Sequence, residues 1–449
     1  MKNTSLIQYL YHGSLWSFMG KFVTGVASFV LVTLLARMLT TDDMAAYFLA
    51  SSLVVFLSII GKFGLDQTLL RLVAGSLAVG DKNKAKTLII KGGGLVALIC
   101  SGLAIIVNLS FDDWLIPLFS ISSTLSGLNG LIIVWFVALA FQYLLGDIFR
   151  SFKEINLSVL LGGTLTALIA ILLVSILWFT ESSTSLSIIL IIMIASCLMN
   201  LNIGICILFR KLRKFGVFEP AIINFSDLLQ DSWPFCINSM AHYLLVFSGL
   251  WILGTHETSI NIANYGAAIR LLAFVAITIA IVSSLLTPII AELNVKKEHD
   301  KLQLILRGTA TLAACPSIII ILLLFVFSDQ TMTLIYGDLY ASGSVILNIL
   351  LVGQLVSVLS GSGAGLLMMT GHQKTIMMIY AFFAATIFLF GMLVVEPYGV
   401  LGVAWVVSVS TTIQEIVTVI YAQKKTGVWC YVGLSDTRKF IKKYVVDGR

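Results

Sequence analysis

The chain has 449 residues, 59% of them hydrophobic and only 11% charged, with a formal net charge of +6 and a mean hydropathy of +1.02. This balance excludes a soluble globular domain and marks a polytopic membrane protein. The basic excess is therefore read through its position relative to the bilayer, and it is no argument for nucleic acid as a partner.

The first apolar run, Ser14–Leu35, is followed by Arg37-Met38-Leu39. It is longer than a signal-peptide core and lacks a small-residue cleavage site, so it reads as a retained span. Further runs lie at Met44–Gly64, Leu88–Leu109, Gly127–Gly146, Leu157–Phe179 and Leu186–Phe209. The second half supplies Asp231–Leu253, Ser259–Leu286, Ile305–Phe327, Val345–Met369, Thr375–Val395 and Val400–Tyr421. Each is near the roughly 20 residues that a helix needs to cross about 30 Å of hydrocarbon. The expected fold is all-α, a polytopic membrane protein with about 12 transmembrane helices.

Charge orients these spans. Basic residues fall at the start (Lys2) and in alternate connections: Lys62 to Lys91, Arg150 and Lys153, Arg210 to Lys214, Lys296 to Arg307, Lys374, and the tail from Lys424 to Arg449. The other connections carry acids: Asp42 and Asp43, Asp112 and Asp113, Glu181, Glu257, Asp329 and Asp338, and Glu396, with Arg37 as their single base. The positive-inside rule then puts both termini in the cytoplasm, which requires an even number of spans. The outer connections are all short and leave no room for an extracytoplasmic domain.

An internal repeat runs through the chain at an offset of about 217 residues. Trp16-Ser-Phe aligns with Trp233-Pro-Phe, Tyr47 with Tyr265, Lys91-Gly92 with Arg307-Gly308, and Asp112 with Asp329. Each half has six spans, so the halves are parallel repeats, an arrangement typical of transporters. The expected organisation is an N-terminal six-helix bundle over 1–210, a cytoplasmic linker over 211–230 containing Pro220, a C-terminal six-helix bundle over 231–423, and a basic cytoplasmic tail over 424–449.

Arg270 is the most informative polar residue. It stands in the eighth span, before the apolar run Leu271–Leu286. A charge at the bilayer centre costs at least roughly 2.5–3.5 kcal/mol, and arginine cannot escape by losing its proton. Counted from Ala263, its Cα lies about 10 Å inside the outer edge of the span. Snorkelling to the outer headgroups and lining a cationic cavity both fit that depth. Its repeat counterpart is Ser52, so the shared scaffold does not require the charge.

Lys21, in the inner third of the first span, aligns with Asn238 and has the same two readings. Arg37 closes that span on the outer side, where it pairs with Asp42 or Asp43 or faces an outward vestibule. Lys62 and Arg71 read as positive-inside anchors, and Asp147 as an interfacial partner of Arg150. Glu415 is a carboxylate inside a late span, suited to a proton or cation pathway or to pairing with a base. His242, midway along the seventh span, can titrate or simply pack with a hydrogen bond. The runs Gly361-Ser-Gly363-Ala-Gly365, Gly92-Gly-Gly94 and Gly162-Gly163 read as close-packing positions, and Pro288 and Pro316 as kink positions. The six cysteines show neither CxxC nor Cys/His ligand spacing, so neither a disulfide framework nor a metal site is assigned. No catalytic residue is assigned, and the chain is not expected to be an enzyme.

The stretch Ala36-Arg37-Met38-Leu39, the acids Asp42-Asp43, Tyr47, Phe63-Gly64-Leu65 and Arg71 before a lysine-rich loop resembles the polysaccharide transporter family, the Wzx-type O-antigen and exopolysaccharide flippases of the MOP superfamily. Thr40 and Ala45 stand where the family commonly has glycine. The resemblance implies two six-helix bundles in a V-shaped, MATE-like arrangement with spans 1, 2, 7 and 8 lining a cleft. It further implies a flippase carrying undecaprenyl-diphosphate-linked oligosaccharide from the cytoplasmic to the periplasmic face of a bacterial inner membrane. Arg270 and Lys21, with Arg37, are then the substrate-binding cations, while Glu415 and His242 are candidates for coupling to an H+ or Na+ gradient. No cofactor is implied. The bilayer is one partner, and the polysaccharide polymerase and chain-length machinery are candidate others. The rival readings are a multidrug or cation antiporter, a lipid II flippase, and a membrane polysaccharide polymerase or ligase.

Overall fold

The structure is a computed structural model and describes residues 3–110, 122–125, 127–180, 185–215 and 221–440. Among these there is no strand. The helices are α1 (Asn3–Met38), α2 (Thr41–Lys62), α3 (Leu65–Ala78), α4 (Lys82–Ser110), α5 (Ser122–Leu125), α6 (Asn129–Ser151), α7 (Ile155–Val159), α8 (Leu165–Phe179) and α9 (Leu186–Arg213). They continue with α10 (Phe225–His256), α11 (Ser259–Val295), α12 (His299–Val326), α13 (Ser328–Tyr336), α14 (Gly343–Ser360), α15 (Gly363–Met369), α16 (Gln373–Thr426) and α17 (Leu434–Phe440). A π turn (Leu160–Thr164) joins α7 to α8, and a 3-10 turn (Asp338–Tyr340) follows α13. Lys2, Asp112, Asp113, Glu181, Pro220 and the tail beyond 440 lie outside the described residues.

Among the described residues ten helices are long and apolar enough to cross a membrane. The difference from twelve has two sources. The apolar part of α1 is described as the shorter segment Phe22–Met38. The 54-residue α16 covers two expected spans and is broken where Pro397 precedes Gly399, whose φ of 58° is not helical. Proline removes a backbone donor and glycine tolerates the left-handed turn, so the chain can reverse there without ending the helix assignment.

Contacts divide the chain into two compact units, Met1–Tyr243 and Leu244–Arg449. In the first, α6 packs against α2, α3, α4 and α9, burying Ile132, Phe136, Ala140 and Phe149. Burial sorts its helices. The apolar window of α2 is 78% buried and that of α4 only 28%, so α2 is interior and α4 offers Leu98, Ile105 and Leu109 to lipid. In the second unit α14 plays the central part, packed against α11, α12 and α16.

Helix ends follow local chemistry. Thr40 caps α2 by accepting from the Asp43 amide at 3.2 Å, and the acids Asp42 and Asp43 suit the positive end of the helix dipole. At the other end Phe63 and Gly64 both adopt positive φ, 49° and 73°. The Phe-Gly-Leu motif is thus a helix break that redirects the chain into the amphipathic α3. Gly64 is also sterically required, because a Cβ there would lie 2.3 Å from the Ser232 carbonyl oxygen.

The backbone adds detail to the glycine and proline positions. Gly361 ends α14 with φ 71° and also packs closely, since a Cβ there would lie 2.3 Å from the Cys430 carbonyl oxygen and 3.1 Å from Ala310, whereas Gly365 has open space around its Cβ position. Gly163 sits in the π turn, which bends the expected span Leu157–Phe179 without ending it, Ile155–Phe179 remaining one membrane-length apolar stretch. Pro316 lies inside α12 without non-helical backbone.

Gly64→Ala adds both left-handed strain and a backbone clash, together about 2 kcal/mol or more. The apparent melting temperature of the purified protein falls by several degrees, while Gly75→Ala, with nothing within 4 Å, leaves it unchanged or raises it.

Candidate functional site

The second unit holds Arg270 on α11. The preceding turns are tightly packed, with Ile262, Tyr265, Ala267 and Ala268 fully buried. Tyr265 fits because position 249 is glycine: a Cβ there would lie 2.2 Å from the Tyr265 hydroxyl. Asn264 Nδ2 donates to Ser342 Oγ at 2.9 Å, tying α11 to the turn before α14. Against this rigid stretch Arg270 is half-buried, and among the described residues it makes no hydrogen bond or ion pair. Its charge does act on Tyr336 at the end of α13. Burial pushes the Tyr336 phenol up, and the Arg270 guanidinium pulls it partly back. Tyr340, whose ring lies 5.6 Å from that of Tyr336, is raised to about 12 by burial. Both tyrosines are buried, and the Tyr336 hydroxyl donates to the Ala267 carbonyl at 3.5 Å, so neither supplies a counter-charge to the guanidinium. Arg270 sits roughly 16 Å along α11 from its first residue at 1.5 Å per residue.

The other candidate cations belong to the first unit. Arg37 is exposed in the last turn of α1. Lys21 is in the same helix, and its side chain lies outside the described residues. Sixteen residues separate them, roughly 24 Å along the axis, so one phosphate group cannot touch both. His242 is on an exposed face of α10. Glu415, on α16, is half-buried and accepts a hydrogen bond from Ser357 Oγ at 3.2 Å. It also lies close enough to act on the Tyr380 phenol and the Cys430 thiol. Burial pushes that thiol up to about 12. Glu415 and Arg270 thus have different neighbours within their unit.

The structure assembles two polar clusters in the first unit that the sequence does not announce. Lys62 Nζ pairs with Asp66 at 2.8 Å, lies 4.9 Å from the Tyr143 ring centroid, and borders a cavity of about 280 Å³ shared with Asp147. Arg150 stands 3.7 Å from Asp147 at its rim, as the sequence spacing leads one to expect. Two acids and two bases balance, so the cluster is neutral. The second cluster surrounds the π turn. Gln142 Oε1 accepts from Thr166 at 2.8 Å and from the Cys197 thiol at 2.9 Å, while Asn200 Nδ2 donates to the Leu161 carbonyl at 2.8 Å. The Asn200 bond satisfies a carbonyl that the turn frees, and the Thr166 and Cys197 bonds satisfy the buried Gln142 amide oxygen. Among the described residues no group of three or more His, Cys, Asp or Glu side chains could hold a metal ion.

A model of the family described as "polysaccharide biosynthesis protein" matches residues 10–294. The chain is 23% identical over 436 residues to a Shigella dysenteriae protein named "Putative O-antigen transporter", covering 94% of this chain and 99% of that one. Among solved structures it is similar to an inward-facing MATE family multidrug transporter of the MOP superfamily, with a TM-score of 0.73 at 15% identity, covering 91% of this chain and 94% of the other. An outward-facing MATE transporter of the same superfamily gives a TM-score of 0.69 at 14% identity, covering 93% and 95%. A Vibrio cholerae MATE transporter variant gives 0.67 at 17%, covering 94% and 97%. At these identities the likeness is one of fold.

Both partners of the Lys62–Asp66 pair are only 12% exposed. Lys62→Met therefore strands a carboxylate and costs about 3–5 kcal/mol. Chemical or thermal unfolding of the purified protein shows the loss, and Lys62→Met combined with Asp66→Asn recovers a large part of it.

Proposed function

The chain belongs to the polysaccharide biosynthesis protein family, and from that premise we propose that it flips undecaprenyl-diphosphate-linked oligosaccharide, an O-antigen or exopolysaccharide repeat unit, across a bacterial inner membrane. Family and fold make it a multi-pass transporter and not an enzyme. The observation that carries the substrate reading is the half-buried Arg270, which has no hydrogen bond or ion pair among the described residues. An arginine left unpaired in a span is costly unless water or an anion reaches it. Its planar fork matches phosphate and carboxylate oxygens.

In this reading Arg270 holds the diphosphate or an acidic sugar, and the buried Tyr336 and Tyr340 pack behind it. The glycan crosses in a wet passage while the lipid tail stays in hydrocarbon. Lys21 and Arg37, about 24 Å apart on α1, serve successive positions of the headgroup and not one shared site. The halves 1–210 and 231–423, joined by the linker 211–230 and followed by the basic tail 424–449, alternate between openings to the cytoplasm and to the periplasm, with both termini cytoplasmic. The likeness to MATE transporters solved in inward-facing and outward-facing conformations supports such alternation. Glu415, and secondarily His242, are the groups through which an H+ or Na+ gradient would couple. The polysaccharide polymerase and chain-length machinery receive the product on the far side.

Cation antiport is the second reading, drawn from the same structural likeness. It is disfavoured by the sign of the unpaired charge, since a cationic substrate calls for a carboxylate where this chain has Arg270.

Replacement of Arg270 separates the two. In a strain lacking its own flippase, Arg270→Ala reduces surface O-antigen or exopolysaccharide by at least about tenfold, the loss of one charge-assisted contact of about 1.5–3 kcal/mol, with unchanged membrane abundance. Arg270→Lys keeps an intermediate level. Undiminished display in Arg270→Ala contradicts the assignment.

A further inference from the structure

A groove of about 480 Å³ lies on the second unit, beside the basic end of α16. Val356 and Leu359 form one wall, Ile416 and Ile420 the other, and Trp429 and Tyr431 close it toward the end of the chain. Leu359, Ile416, Ile420 and Tyr431 are exposed. The closing segment is firmly fixed. The Trp429 amide donates to Gln303 Oε1 at 3.0 Å, the Val432 amide to the Leu359 carbonyl at 3.0 Å, and the Gly433 amide to Thr311 Oγ1 at 3.1 Å. Arg307 lies over the Tyr431 ring at 4.7 Å and pairs with Asp436. The groove is therefore a standing feature of the unit.

Its chemistry is graded. Ile416 and Ile420 are one turn apart on α16, and Lys424 follows one turn later on the same face, with Lys425 beside it. Both lysines are exposed and make no hydrogen bond or ion pair among the described residues. Trp429 and Tyr431, ring centroids 5.3 Å apart, are the residue types that sit at headgroup level. The order is thus apolar wall, aromatic pair, then free cations. An amphiphile with an apolar chain and an anionic head has the same order. The basic connections mark this as the leaflet of the positive side.

We propose that the groove is a binding site for an anionic phospholipid of that leaflet. An acyl chain lies along Ile416 and Ile420, and the headgroup phosphate sits on Lys424 and Lys425. The site lies beside α14 and α16 and does not depend on how Arg270 is used.

Tryptophan quenching tests it. The full-length protein is reconstituted into phosphatidylcholine vesicles containing brominated phosphatidylglycerol or, at equal fraction, brominated phosphatidylcholine. The Trp429 signal is the difference between the native protein and Trp429→Phe. The expected result is preferential quenching by the anionic lipid, corresponding to a roughly fivefold tighter association for each lysine engaged. Lys424→Gln with Lys425→Gln should remove the preference and leave the quenching by brominated phosphatidylcholine. Equal quenching by the two lipids in the native protein overturns the proposal, as does a preference that survives loss of both lysines. Relief of quenching by undecaprenyl phosphate, with unlabelled phosphatidylglycerol ineffective, assigns the groove to the carrier lipid and overturns it too.

Discussion

A chain in hydrocarbon has no water with which to satisfy its polar groups, so each buried donor, acceptor and charge must find a partner within the protein. The two clusters of the first unit are direct consequences. Where the π turn frees backbone carbonyls, Asn200 and the Gln142–Thr166–Cys197 bonds are built against it. Where Lys62 enters low dielectric, Asp66 lies one turn away and the Tyr143 ring lies beneath it. Other ion pairs follow the same rule toward helix ends: Lys211 with Glu154, and Arg307 with Asp436. Arg270 makes no hydrogen bond or ion pair among the described residues. A few buried atoms, among them Asn264 Oδ1 and the Tyr265 hydroxyl, also lack a hydrogen-bond partner, but Arg270 alone among these three carries a full charge.

Much of the scaffold could be read directly from composition, because a span is recognised by the length of an apolar run. The runs at Met44–Gly64, Leu186–Phe209 and Ile305–Phe327 became α2, α9 and α12. The i,i+3 spacing of Asp147 and Arg150 also led correctly to their contact. Glycine was harder. The same residue serves close packing and positive φ, and a sequence does not distinguish them. Gly92 does pack, its Cβ position lying 2.5 Å from Leu69, whereas Gly361 and Gly64 turn the chain. The α3 helix was hidden because its period is amphipathic and not uniformly apolar. Tyr336 lies 66 residues beyond Arg270, so their proximity depends on tertiary packing of α13 that no local pattern reports.

Family and fold supply the scaffold, and particular residues supply what is specific to this chain. A MATE-like fold does not by itself fix what is carried. Selectivity must then come from side chains within the spans. In this chain Asp66 is engaged by Lys62 and Asp147 by Arg150, Glu415 has a hydroxyl partner, and the arginine of α11 has no hydrogen bond or ion pair among the described residues. The proposed anionic substrate rests on that arginine. Ser52, at the corresponding repeat position, is fully buried and donates to the Leu49 carbonyl.

The central claim is that position 270 meets water and anions and not lipid. The direct measurement is the reaction of Arg270→Cys with a small, membrane-impermeant, negatively charged thiol reagent in intact cells, with the six native cysteines replaced by serine. The account predicts rapid labelling that slows when lipid-linked glycan accumulates. A cysteine that reacts only with membrane-permeant apolar reagents would place this position against lipid and contradict it.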